Sequence, residues 1–222
     1  MIALPAPLER ARYTLEWALG AYPGRIVLAC SFGGPTGMVL LDLAMSVDST
    51  VPVYYLDTGL LFPQTYALID EAQKRYGFQA IAVTPETSVA EQNAVQGRAL
   101  WETDPDRCCG LRKVRPQRAF LARYDAWIAG IRKDQAPTRR DTRVVDYDET
   151  TGILKISPLA EWTEDEVWAY LREHDVPYNA LHDEGFPSIG CAPCTRRPAP
   201  GGGARSGRWA GFVKTECGLH RS

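Results

Sequence analysis

With 222 residues, 45% of them hydrophobic, the chain can bury the core of one large α/β domain or of a domain with a long arm. A net charge of -2 gives no overall pull toward nucleic acid or an anionic membrane, and no apolar run reaches the length of a membrane span. The first residues carry acidic side chains and no cleavage-type signal, so a cytoplasmic protein is expected. Its six cysteines should then stay reduced and serve metal binding or catalysis rather than disulfides.

The chain opens with an amphipathic helix from about Leu8. RIVLAC (25–30) is a short apolar, β-branched run followed by the glycine turn SFGG, and MVLLDLAM then reads as a helix. VPVYYLD is a second buried strand running into DTGLLFP. QTYALIDEAQKRYG is a helix that Gly77 closes. FQAIAVT is a third strand and SVAEQNAVQ a weak helix. AWIAGIRKD (126–134) is a fourth strand ending in a polar loop, and GILKISPL is a fifth. TEDEVWAYLREHD carries a capping box, Thr163 with Glu166, ahead of an apolar helical period. Strands alternating with helices predict an open, mostly parallel sheet with helices on both faces. Ligands of such sheets bind beyond the carboxyl ends of the strands, where SFGG, DTGLLF and RKDQAPTR should gather.

From about Pro187 the composition shifts to Gly, Pro and Arg, with no convincing period. Residues 195–222 hold six Lys or Arg against one acid, Glu216, and the run Gly201–Gly203 reads as a hinge. Two units are therefore expected: an α/β domain over residues 1–194, and a basic, mobile C-terminal arm over residues 195–222.

Four constellations carry chemistry. Ser31, Phe32, Gly33 and Gly34 follow a strand and precede a helix, so their backbone N–H groups can cradle an anion. This loop is neither a Walker A motif, which needs G-K-[ST], nor the S-G-G-x-D-S loop of ATP pyrophosphatases. The alternative is a plain tight turn. Cys108 and Cys109 in RCCG, with Cys191 and Cys194 in GCAPC, form two close thiol pairs. Adjacent cysteines diverge too much to chelate one tetrahedral zinc well, whereas an iron–sulfur cube can give each cysteine its own iron. Lys113, four residues after Cys109, falls one helical turn along on the same side. Arg132, Lys133, Arg139 and Arg140 follow the fourth strand, and Arg205 and Arg208 sit on the arm; guanidinium forks match phosphate or sulfate oxygens. Cys217 lies near the end of the chain, with Arg205, Arg208, Lys214 and His220 about it in sequence, as a reactive thiolate would require. Cys30, ending a buried strand, reads as a small hydrophobe.

Together SFGG, LDTGLLFPQTY, CCGLRKVRP, GIRKDQAPTR, ISPLAEWTEDEVWAYL, GFPSIGCAPCT and GRWAGFVKTECGLH resemble the assimilatory adenylyl-sulfate reductases, within the adenylyl-sulfate and phosphoadenylyl-sulfate reductase family. The likeness runs from about residue 26 to 220. It departs at Pro35 and Gly37, where relatives commonly carry an acidic residue. The resemblance implies a fold like that of adenine nucleotide α-hydrolases and a [4Fe–4S] cluster on Cys108, Cys109, Cys191 and Cys194. It implies that Ser31, Phe32, Gly33, Gly34, Asp57, Thr58 and Gly59 hold the nucleotide. Lys113, Arg132, Arg205 and Arg208 would meet the phosphosulfate, Cys217 would be the nucleophile, and His220 would lie close to it. The implied reaction is thioredoxin-dependent reduction of adenylyl sulfate to sulfite and AMP through a cysteine S-sulfonate. A thioredoxin or glutaredoxin-like protein would be the reductant, with neither nucleic acid nor membrane as partner. Phosphoadenylyl-sulfate reduction and a non-catalytic iron–sulfur sensing or binding module are the alternatives.

Overall fold

A computed structural model describes residues 6–219 of the chain. Its helices are α1 (Pro7–Ala21), α2 (Pro35–Val47), α3 (Pro63–Tyr76), α4 (Val89–Gln96), α5 (Leu100–Thr103), α6 (Pro105–Cys109), α7 (Arg115–Leu121) and α8 (Glu164–Glu173). Its strands are β1 (Ile26–Ala29), β2 (Val53–Leu56), β3 (Ile81–Val83), β4 (Ala126–Ala129), β5 (Val145–Asp148) and β6 (Ile153–Ile156). They form one sheet in the order β3-β2-β1-β4-β6-β5. All neighbours are parallel except β5, which runs antiparallel to β6.

Side chains alternate across the sheet, as the pleat requires. Ile26, Leu28, Ala126 and Ile128 point into one apolar core, which takes in residues of α1, α2, α3 and α8. Val27, Ala29, Trp127 and Ala129 face a smaller core with Tyr54, Phe120 and Leu121, under α7. Helices thus cover both faces, as the sequence pattern predicts. The chain works outward from β1 to β3, then returns to the other side of β1 as β4. The carboxyl ends of β1 and β4 therefore flank a topological switch point, where a crevice opens between the diverging loops.

Several short elements support that crevice. Thr163 caps α8 by accepting from the Glu166 N–H, and the Glu166 carboxylate accepts from the Thr163 N–H. Gly77 closes α3 in the left-handed conformation, φ 70°. Between α6 and α7 the helix widens into a π turn over Gly110–Val114, and both Arg112 and Lys113 are buried in it.

Residues 195–219 fold back onto the domain. Thr195 and Arg208 form an antiparallel bridge, the Trp209 N–H donates to the Cys194 carbonyl at 3.1 Å, and Trp209 is buried. The glycines expected to form the hinge, Gly201–Gly203, lie exposed in the turn between these contacts. Among the described residues no helix is long and apolar enough to cross a membrane.

Candidate active site

The SFGG loop lies at the end of β1 and is held from behind. Phe32 takes φ 52°, uncommon for a residue with a Cβ, and its ring is buried against Tyr55. Asn179 Nδ2 donates to the Phe32 carbonyl at 3.0 Å, and His182 Nε2 lies 3.1 Å from the Gly33 carbonyl. A Cβ at residue 33 would sit 2.9 Å from the Ile189 carbonyl oxygen, so glycine is required there by close backbone approach. Ser31, Gly33 and Gly34 line a cleft of about 300 Å³, whereas the Phe32 side chain belongs to the core.

The loop after β4 forms the opposite wall. Arg132 is almost fully buried, donates to Asp134 at 2.9 Å, and bonds the Thr36 hydroxyl at the start of α2. Gln135 joins the same wall through Nε2, 3.2 Å from Thr36 Oγ1. Cys217 and Leu219 of the last segment also line this cleft, as do Lys113, Arg139, Arg205 and Arg208. Residues far apart in sequence, Ser31, Lys113, Arg132, Arg208 and Cys217, thus face one space.

A second, much smaller pocket, about 10 Å³, adjoins the first, and Cys108, Cys109, Cys191 and Cys194 all line it. Lys113, Arg208 and Trp209 line both pockets and so stand between them. Burial pushes the Cys108 thiol up to about 11, with the neighbouring Cys109 and Cys191 adding to it, and pushes Cys194 up to about 12. Burial opposes the charge of Lys113, but the sulfurs of Cys191, Cys217 and Cys109 outweigh it and raise its pKa. Among the described residues no three His, Cys, Asp or Glu side chains converge as they would round a single metal ion. The sulfurs are spread round a pocket instead.

The LDTG loop after β2 serves this second pocket. Thr58 Oγ1 lies 3.3 Å from Cys191 Sγ, and the Thr58 carbonyl accepts from Arg112 Nε at 2.6 Å. Asp57 Oδ1 accepts from the Gly59 N–H at 2.9 Å and the Tyr66 hydroxyl at 2.7 Å. Asp57, Thr58 and Gly59, expected to hold nucleotide, line neither pocket; Thr58 touches Cys191 and Arg112 of the cysteine pocket. Arg112, which the sequence reading passes over, also bonds Gln92 Oε1 at 3.2 Å and is the guanidinium nearest the Thr58 backbone. Its only sequence signal is its place beside Lys113.

Arg208 stacks on Trp209, 4.6 Å from the ring centroid, and reaches Ser188 Oγ at 3.3 Å. Arg205, expected to meet the phosphosulfate, lines the cleft, and its Nη2 donates to Glu216 Oε2 at 3.1 Å. Burial and the neighbouring charge of Arg139 lower its pKa, with Glu216 opposing. His220 lies outside the described residues. Cys30 is a core residue, as expected, and burial pushes its thiol up to about 12.

The model of the phosphoadenosine phosphosulfate reductase domain matches residues 25–197. The chain is 47% identical over 208 residues to adenosine 5′-phosphosulfate reductase 2 of Bacillus subtilis (strain 168), covering 93% of this chain and 88% of that relative. It is 49% identical over 209 residues to phosphoadenosine 5′-phosphosulfate reductase of Gloeobacter violaceus, covering 93% and 86%. Among solved structures, phosphoadenylyl-sulfate reductase from Candida auris, a phosphate complex, superposes with a TM-score of 0.73 at 34% identity, over 84% of this chain and 90% of that one.

Proposed function

The chain belongs to the phosphoadenosine phosphosulfate reductase family, oxidoreductases acting on the sulfur of a nucleotide sulfate in sulfate assimilation, and we infer that its substrate is adenylyl sulfate and its nucleophile Cys217. The observation that carries this is the shared cleft. Cys217, the only cysteine of the last segment, lines the same space as the SFGG loop and the cations Lys113, Arg132 and Arg208. The N–H groups of Ser31–Gly34 would hold the α-phosphate, and the three cations would face the sulfo group and the phosphate bridging it to adenosine.

The Cys217 thiolate attacks the sulfur of adenylyl sulfate. An S–S bond forms, the S–O bond to phosphate breaks, and AMP leaves with that electron pair. Lys113, Arg132 and Arg208 offset the negative charge that grows on the departing phosphate. A thioredoxin or glutaredoxin-like dithiol then attacks Cys217 Sγ, and sulfite leaves with the S–S electron pair. The second thiol of the reductant resolves the mixed disulfide and frees Cys217. The sum is one dithiol oxidised, one sulfur reduced by two electrons, and two protons released.

The cysteine pocket fits an iron–sulfur cluster by its donor set. Four thiols from two distant segments line one pocket, and the buried cations Arg112, Lys113 and Arg208 line it too and can balance thiolate charge. Cys108, Cys109, Cys191 and Cys194 would hold a [4Fe–4S] cluster. Bound there it would supply electrostatics, setting the field at Lys113 and the adjoining cleft, because a dithiol already carries both electrons that sulfur needs.

The Gloeobacter relative's name supports a second reading, reduction of the 3′-phosphorylated nucleotide. Sulfite release with reduced thioredoxin, measured for both nucleotides, separates the two. A higher kcat/KM for adenylyl sulfate is expected; a clearly higher value for the 3′-phosphorylated substrate would reverse the assignment. Sulfite from neither would leave a binding module.

A further inference from the structure

We propose that Glu216 is a positioning residue for Cys217: its carboxylate latches the last segment over the cleft while the thiolate attacks, and releases it for the reductant. The proposal rests on the role given to Cys217 above.

The latch has four donors. Arg139 grips the carboxylate in a fork, Nε to Oε1 at 2.9 Å and Nη2 to Oε2 at 2.8 Å. Arg205 Nη2 adds a bond to Oε2 at 3.1 Å, and the Thr138 hydroxyl one to Oε1 at 3.1 Å. Arg205 Nη2 also holds the Thr215 carbonyl at 3.0 Å, so the backbone just before Cys217 is fixed as well. The Glu216 and Arg139 side chains are only 13% and 11% exposed, a setting in which a forked ion pair is far stronger than on open surface.

The other end of the latch is anchored on the cleft wall. Arg139 Nη1 donates to Gln135 Oε1 at 2.6 Å, and Gln135 Nε2 donates to Thr36 Oγ1 at 3.2 Å. One chain of polar contacts therefore runs from Glu216 to the start of α2, beside the SFGG loop. Burial disfavours the Glu216 charge, but the hydrogen bond from Arg139 and the charges of Arg139 and Arg205 outweigh it and hold its pKa low.

Apolar burial does not fasten this segment. Val213 is fully exposed and Phe212 is exposed too. The side chains that hold residues 212–217 are charged: Glu216 on one side, and on the other Lys214, which pairs with Asp106 and lies over the Trp209 ring, 5.4 Å from its centroid. An ionic fastening suits a residue that must meet two unlike partners. The first is a small anion deep in the cleft; the second is a protein dithiol too large to enter it.

The test uses the full-length holoenzyme with Glu216→Gln, which keeps the size of the side chain and removes its charge. Rapid-quench release of AMP without any thiol reads the attack by Cys217. Discharge of the isolated S-sulfonated enzyme by reduced thioredoxin reads the second half-reaction. Amide exchange of residues 210–219 reads the latch itself. The attack should slow about tenfold or more, as for loss of a charge-assisted contact. The burst amplitude should stay at one AMP per enzyme, discharge should be as fast or faster, and exchange of the last segment should rise. An attack at the wild-type rate, equal slowing of both half-reactions, or a smaller burst at an unchanged rate would each overturn the latch. A wild type that forms no adduct on Cys217 would instead overturn the functional reading; exchange would then still show whether Glu216 fastens the segment.

Discussion

His182 and Gly33 meet across 149 positions of chain, with His182 Nε2 lying 3.1 Å from the Gly33 carbonyl oxygen. The ring sits edge-on to Trp168, with centroids 5.4 Å apart, and beside Tyr178. Burial lowers its pKa, opposed by the Gly33 carbonyl, the charges of Asp183 and Glu164, and the Phe186 backbone. The neutral ring is thus the form that supports the loop.

A depressed folded-state pKa gives stability that is present above the ordinary histidine value of about 6.5 and is lost as pH falls through the folded one. Urea midpoints of the wild type should drop between roughly pH 7.5 and roughly pH 5.5. His182→Gln should be less stable at neutral pH by about 1–2 kcal/mol, and the gap should narrow on acidification. A gap that stays constant with pH would show that His182 does not titrate with folding.

Gly33→Ala tests the close approach beside that histidine. Its Cβ would meet a backbone oxygen, Ile189 O, at 2.9 Å, so the loop or the segment before Cys191 must shift. AMP affinity measured by calorimetry should fall about tenfold or more, since a displacement of this order spoils several N–H contacts at once. Unchanged affinity would mean that the cradle is not where the nucleotide phosphate binds.

The cysteine pocket is tested by composition. Protein purified without oxygen should carry iron and acid-labile sulfide near a ratio of about four each per chain. Cys108→Ser and Cys194→Ser should each lose both. Stoichiometric zinc without sulfide in the anaerobic protein would contradict a cluster on these four residues.

The sheet was readable because its central strands are apolar runs bounded by turn residues, and the helix caps at Gly77 and Thr163 carry strong local chemistry. β5 was not, because Val145–Asp148 alternates exposed and charged residues on a sheet edge and pairs only with β6. α5, α6 and α7 are short and broken by Pro105 and Pro116, so no apolar period identifies them. Motif resemblance singled out Cys217, Lys113 and Arg132, and all three line the cleft. Spacing could not say that the LDTG loop turns toward Cys191, nor that Arg205 is paired with Glu216, because both depend on side-chain packing between distant segments. Trp209, set between the two pockets, lies in the matched stretch GRWAGFVKTECGLH, but nothing in its spacing singled it out.

The central claim is that Cys217 carries the sulfur. Wild-type holoenzyme given adenylyl sulfate without any thiol should stop after one turnover, release one AMP per chain and gain the mass of one sulfonate on the peptide TECGLHR. Cys217→Ser should keep its iron and its nucleotide affinity yet form neither adduct nor sulfite, because a neutral hydroxyl is a far weaker nucleophile than a thiolate. Reduced thioredoxin should discharge the wild-type adduct as sulfite. An adduct mapped to Cys30, Cys108, Cys109, Cys191 or Cys194, or continued turnover by Cys217→Ser, would contradict the account.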